Sequence, residues 1–210
     1  MNNPSSLRGT RSVWLRLWHW LDALVILGLL GTVLLRKTFL SWRTNSTFIE
    51  TTLQDAGTTI TPELAKELAI GLRSPMWEFH YVFGFTLAGL FVVRIILGLI
   101  PGQHPMFGGL RKYFSAPAGK RPSKHFLAVK AGYAVFYAMV CFMVVSGLSM
   151  YFKTELSLSS DLAGSIKELH ELSMWFFAAF VAVHTVGVIV AENQDDAGLV
   201  SDMINGGKSE

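Results

Sequence analysis

A single cysteine, Cys141, occurs in 210 residues, which excludes an intrachain disulfide and any cysteine-held iron–sulfur cluster. It lies inside an apolar block and reads as a small packing residue of a helix. No glycine-rich phosphate loop precedes a helix and no hydrolytic constellation stands out, so a nucleotide-binding or hydrolytic enzyme is not indicated. No internal repeat or low-complexity tract appears. Charge is scarce: 16% of residues are charged, where a soluble domain carries about 25%. The formal net charge of +3 is modest, and no nucleic-acid partner is expected.

The missing charge is missing from four blocks. With 51% hydrophobic residues and a mean hydropathy of +0.40, the chain reads as a membrane protein contacting lipid. Spans fall at about 13–35, 77–100, 125–152 and 166–191, each near or above the ~20 residues a helix needs to cross a hydrocarbon core. Pro101 and Gly102 stop the second, because proline cannot continue the helix ladder. The first run follows Arg8, Arg11 and Arg16, as a signal peptide would. It continues to Leu35 without a small-residue cleavage site and is read as a retained span. The expected fold is all-α: one domain over 1–210, a four-helix transmembrane bundle.

Orientation comes from the connections. The N-terminal arm holds three arginines and no acid before the first span. The 101–124 connection carries Arg111, Lys112, Lys120, Arg121 and Lys124 with no acidic residue. Elsewhere signs mix: Arg36, Lys37 and Arg43 face Glu50, Asp55, Glu63 and Glu67, and Lys153 and Lys167 face Glu155, Asp161, Glu168 and Glu171. The positive-inside rule therefore predicts cytoplasmic termini and a cytoplasmic 101–124 loop. In the 36–76 outer loop, Thr61-Pro62-Glu63 begins a short capped helix. That loop is either a cap on the outer surface, a meeting point for a partner, or loosely ordered. In the 192–210 tail, Asp195 and Asp196 precede an amphipathic pattern of Leu199, Val200, Met203 and Ile204 that Gly206-Gly207 ends. It suits a short helix at the inner interface.

Of six histidines, four fall within spans: His19, His80, His170 and His184. Ionisable side chains in hydrocarbon are costly and mark function; a lone one is also satisfied by a neighbouring helix. Four at matched depths are a pattern. His19 and His184 share the inner level, and His80 and His170 the outer. On the fourth span the two histidines are 14 residues apart, about 21 Å along the axis and within roughly 40° of one face. Two His–His pairs at separate depths meet the need of two six-coordinate b-type haems in a dry bundle interior. Zinc wants four ligands converging on one point, and a proton relay wants acids, of which only Asp22 lies well inside a span.

Other residues have two readings each. Gly28, Gly31, Gly84, Gly89, Gly132, Gly147 and Gly187 make room for a flat ring or serve small-residue helix packing. Arg16, Arg94 and Lys130, near inner span ends, either snorkel to the interface or contact haem propionates. Arg16, one turn before His19, is the strongest propionate candidate. His104 and His125 read as surface residues, with His125 placed to meet a quinone headgroup. Met139, Met143, Met150 and Met174 read as packing residues.

The segment Arg16-Leu17-Trp18-His19-Trp20 resembles the opening of the b-type cytochrome subunits of nickel–iron hydrogenases. Leu169-His170-Glu171-Leu172-Ser173-Met174-Trp175, then His184, is similar to that group's fourth span, and Gly198 to Gly206 to its tail. The wider group is the bacterial di-haem cytochrome b-561 type, including membrane subunits of formate dehydrogenase and thiosulfate reductase. The resemblance covers nearly the whole chain except Arg36–Met76. It implies a two-haem electron conduit in the bacterial cytoplasmic membrane, joining a redox partner subunit to the quinone pool. His19, His80, His170 and His184 would be the axial ligands of two haem b groups, paired His19/His184 and His80/His170. An electron-transfer subunit is expected over a stand-alone enzyme. The alternatives are a self-sufficient superoxide:quinone oxidoreductase of the same group and a haem-free transporter or anchor.

Overall fold

The computed structural model describes residues 12–100, 107–117, 123–193 and 197–206. Arg8, Arg11, Pro101, Gly102, His104, Lys120, Arg121, Asp195, Asp196 and Gly207 lie outside them, and the readings placed on them stay sequence readings. Among the described residues every regular element is helical. In chain order these are α1 (Val13–Lys37), α2 (Trp42–Asp55), α3 (Pro62–Leu72), α4 (Ser74–Leu99), α5 (Gly108–Ser115), α6 (Lys124–Tyr151), α7 (Ser160–Asn193) and α8 (Leu199–Asn205).

Four helices are long and apolar enough to cross a membrane: α1, α4, α6 and α7. The shortest has 25 residues, about 37 Å at 1.5 Å per residue. These are the four expected spans. The fourth differs most, since α7 starts at Ser160 and not near 166. Hydropathy reports where hydrocarbon begins, not where a helix begins. The extra turns carry Asp161 and start where Ser159 Oγ accepts the Leu162 N–H at 3.3 Å; just beyond them lies an exposed Lys167–Glu171 pair at 4.0 Å.

The chain divides into two compact units, one of Ala23–Leu87 and one of the residues up to Asp22 with those from Ala88 onward. In the Ala23–Leu87 unit, α2 packs on α3. Helix α3 is the one expected at Thr61, whose Oγ1 accepts the Leu64 N–H at 3.2 Å. Helix α2 was not foreseen: its polar, threonine-rich sequence carries only a sparse apolar stripe of Trp42, Ile49 and Leu53, half-buried, and no residue of it is fully buried. Ala65 and Ala69 of α3 are fully buried, small residues that allow close approach, and Trp42 of α2 lies under Lys66 Nζ at 4.9 Å. Where α1 meets α4, the ring of Phe83 fills the space beside Gly28; a Cβ there would stand 2.8 Å from Phe83 Cε2.

In the other unit α6 packs on α7, α5 on α6 and α8 on α7. Ser123 Oγ caps α6 by accepting the Phe126 N–H at 3.1 Å. Helix α5, also unforeseen, lies within the basic connection. Helix α8 forms where the tail pattern placed it and ends at Gly206, whose φ of 96° is left-handed and free of strain for glycine.

Along α1 the buried residues are Trp18, Asp22, Val25, Ile26 and Thr32, at spacings of 4, 3, 1 and 6. Leu17, Leu21, Leu24, Leu27 and Leu34 are exposed. Polar side chains thus turn inward and leucines outward, the arrangement a helix adopts against lipid.

Candidate functional site

His19 of α1 and His184 of α7 face each other, with ring centroids 6.2 Å apart and planes inclined at 65°. Two imidazoles bonded at about 2 Å to opposite sides of one metal ion place their ring centres roughly 6 Å apart. The centroid spacing of the pair therefore fits a six-coordinate haem iron. Among the described residues, no three or more His, Cys, Asp or Glu converge as a metal cluster would require. The ligand set is paired, not convergent.

Aromatic side chains hold both rings. Trp20 meets His19 edge-on at 5.4 Å, and Phe180, one turn before His184, stacks on it at 5.8 Å with planes at 5°. Phe180 in turn stacks on Phe136 of α6 at 4.4 Å, and Phe136 meets buried Phe177 at 5.8 Å. Phe177 and Phe180 lie between His170 and His184 along α7.

His170 is held differently. Its Nδ1 lies 2.8 Å from Oγ of Ser146 on α6, a residue only 4% exposed. The next residue is Gly147, where a Cβ would come into van der Waals contact with His170 Cε1, at 3.4 Å. His80 lies in the Ala23–Leu87 unit. Its Nδ1 is 2.8 Å from Oγ1 of buried Thr32 on α1, and Trp77 meets its ring edge-on at 5.6 Å. One turn after His80, a Cβ on Gly84 would meet nothing within 4 Å, and the same holds at Gly187 beside His184.

The arginines divide. Arg16 NH1 donates to the Ile204 carbonyl at the end of α8. Its buried Nε–H has no partner among the described residues, one turn before His19. That is a donor suited to a propionate oxygen, since a buried unsatisfied donor is costly. Arg94 does not snorkel. It is 4% exposed, donates from Nε to the Tyr137 hydroxyl at 3.0 Å and lies over the rings of Trp18 and Tyr137 at 5.6 and 5.3 Å. Asp22, 6% exposed, follows Trp18 by one turn. Lys130 lies over Phe126 and Tyr133, and His125 is exposed at the start of α6. Met174 is buried, as a packing residue should be. Cys141 is exposed, not packed, and lines an apolar cavity of about 600 Å³ between α4, α5 and α6.

Sequence reasoning missed Thr32, Ser146 and Arg73. The first two were visible only as hydroxyls within apolar blocks. Arg73, seven residues before His80, has a buried Nε–H without a partner among the described residues; its position inside the mixed-sign loop hid it.

Neither a curated protein nor a solved structure matches the chain. The sequence profile of prokaryotic cytochrome b561 matches residues 10–206, which include all four span histidines. With four helices fit to cross a membrane and an opposed histidine pair between two of them, the chain belongs to the prokaryotic cytochrome b561 family.

Proposed function

We propose that this membrane cytochrome b carries two haem b groups, one at the level of His19 and His184 and one at the level of His80 and His170. It would pass electrons between a redox partner subunit and quinone at the bacterial cytoplasmic membrane. The observation that carries the reading is the opposition of His19 and His184 at 6.2 Å. The second pair rests on depth: His170 lies 14 residues before His184 on the same helix, about 21 Å higher, at the level of His80.

Bound haem supplies reversible one-electron chemistry at its iron, and the protein supplies ligands, burial and hydrogen bonds that tune it. His19 and His184 would hold one haem, and Trp20 and Phe180 pack against their rings and restrict their rotation. His80 and His170 hold the other. Arg16 and Arg73, each with a buried Nε–H that has no partner among the described residues, would be the donors available to haem propionates. The packed rings of phenylalanines 136, 177 and 180 would disfavour water between the two levels, and a dry interior strengthens electrostatics.

A pyridine haemochrome assay on purified protein should give two non-covalent haems per chain; one or none defeats the two-site reading. His19→Ala and His184→Ala should remove one spectral and redox component, and His80→Ala and His170→Ala the other. Loss of the same component from His19→Ala and His170→Ala, with His184→Ala leaving it intact, would overturn the pairing.

A further inference from the structure

We infer that Thr32 and Ser146 are positioning residues: they fix the tautomer of His80 and His170 so that each presents Nε2 to iron, and they hold that haem at a lower reduction potential than unanchored imidazoles would. The inference rests on the proposed haem ligation, but its geometry is independent of it.

A hydroxyl has one proton. Thr32 Oγ1 lies 2.7 Å from the Leu29 carbonyl oxygen, which can only accept, so the proton goes there. Toward His80 Nδ1, at 2.8 Å, the hydroxyl oxygen is then the acceptor and Nδ1 carries the hydrogen. A neutral imidazole has one N–H, so Nε2 is left with a bare lone pair, the form that binds a metal. Ser146 repeats the device. Its hydroxyl donates to the Phe142 carbonyl at 2.7 Å, with Met143 O at 3.2 Å, and accepts from His170 Nδ1 at 2.8 Å. The opposite tautomer would require breaking a hydroxyl–carbonyl bond at a site 6% or 4% exposed, where no water replaces it.

The two devices arise in different units, on α1 for α4 and on α6 for α7, yet run in the same order: imidazole, hydroxyl, helix carbonyl. Nothing comparable holds the other pair. Among the described residues the rings of His19 and His184 meet Trp20, Phe180 and each other, and neither takes part in a hydrogen bond. A hydrogen bond from the far ring nitrogen raises the basicity of an imidazole ligand, and a more basic donor favours ferric over ferrous iron. The hydroxyls therefore act on one haem and not on the other.

The test is a redox titration of the purified holoprotein, followed by its visible spectrum and by the low-spin ferric EPR signals. Thr32→Val and Ser146→Ala should each shift one component's midpoint potential upward and move its EPR signal, leaving the second component unchanged. Thr32→Ser and Ser146→Thr should restore wild-type values. Where a loss variant does not accumulate, Thr32→Cys and Ser146→Cys carry the comparison, with a smaller shift in the same direction. No shift in any hydroxyl-deleting variant, or a shift that the hydroxyl-retaining variants share, overturns the inference. If Thr32→Val and Ser146→Ala move different components, the positioning role stands and the proposed pairing of His80 with His170 falls.

Discussion

At the residue scale, the same feature in sequence has opposite meanings in different surroundings. Gly28 and Gly164 are both helical glycines. A side chain at Gly28 would collide with Phe83, whereas one at Gly164 would meet nothing within 4 Å. Gly28→Leu should cost about 1–3 kcal/mol by overpacking, and Gly164→Ala should gain up to ~1 kcal/mol by lowering backbone entropy in the unfolded chain. Thermal unfolding in detergent checks both; equal effects would contradict the packing. Arg94 and Tyr137 form a buried charge-assisted hydrogen bond at 3.0 Å, so Arg94→Met should cost about 1.5–3 kcal/mol. Lysine should not restore it, because an ammonium cannot reproduce the planar fork stacked over Trp18. Combined with Tyr137→Phe, the loss should fall short of the sum by ~0.5–3 kcal/mol, as neighbours in one network do.

At the element scale, α8 is tied at both ends to the two helices bearing His19 and His184. The Glu192 carboxylate of α7 accepts the N–H groups of Gly198 and Val200, each at 2.9 Å. At the other end Arg16 donates to Ile204 O, and Trp20 Nε1 donates to Met203 O at 3.2 Å. An anion meets the positive end of the helix and a cation the negative end. Glu192→Ala should raise amide hydrogen exchange across 199–205 about 5- to 30-fold, matching a loss of 1–2 kcal/mol. Unchanged exchange would show that α8 is held by something else. Helix α2 shows the reverse case, an element with no side-chain cap and no buried residue of its own that packs on α3.

At the scale of the whole molecule, the proposed topology is testable by charge-independent reporters. A fusion after Glu210 or an insertion near Gly119 should be active only on the cytoplasmic side, and one near Thr58 only outside. Cytoplasmic activity at Thr58 would reverse the orientation and exchange the proposed inner and outer haems. The prediction rests on the acid-free basic connection of 101–124.

The four long helices and the approach of His19 to His184 were legible in the sequence, because hydrocarbon demands about 20 apolar residues and helical rise converts spacing into depth. Thr61 and Gly206 were legible as helix boundaries for the same local reason, since caps and left-handed turns act within a few residues. What only the tertiary structure decided were side-chain partners across helices. Spacing places His170 at a level but not beside Ser146, and places Arg94 near a span end without burying it under Trp18 and Tyr137. Depth is a property of one helix; rotation about its axis against a neighbour is set by packing, and so the hydroxyls that hold the histidines emerge only when the helices are brought together.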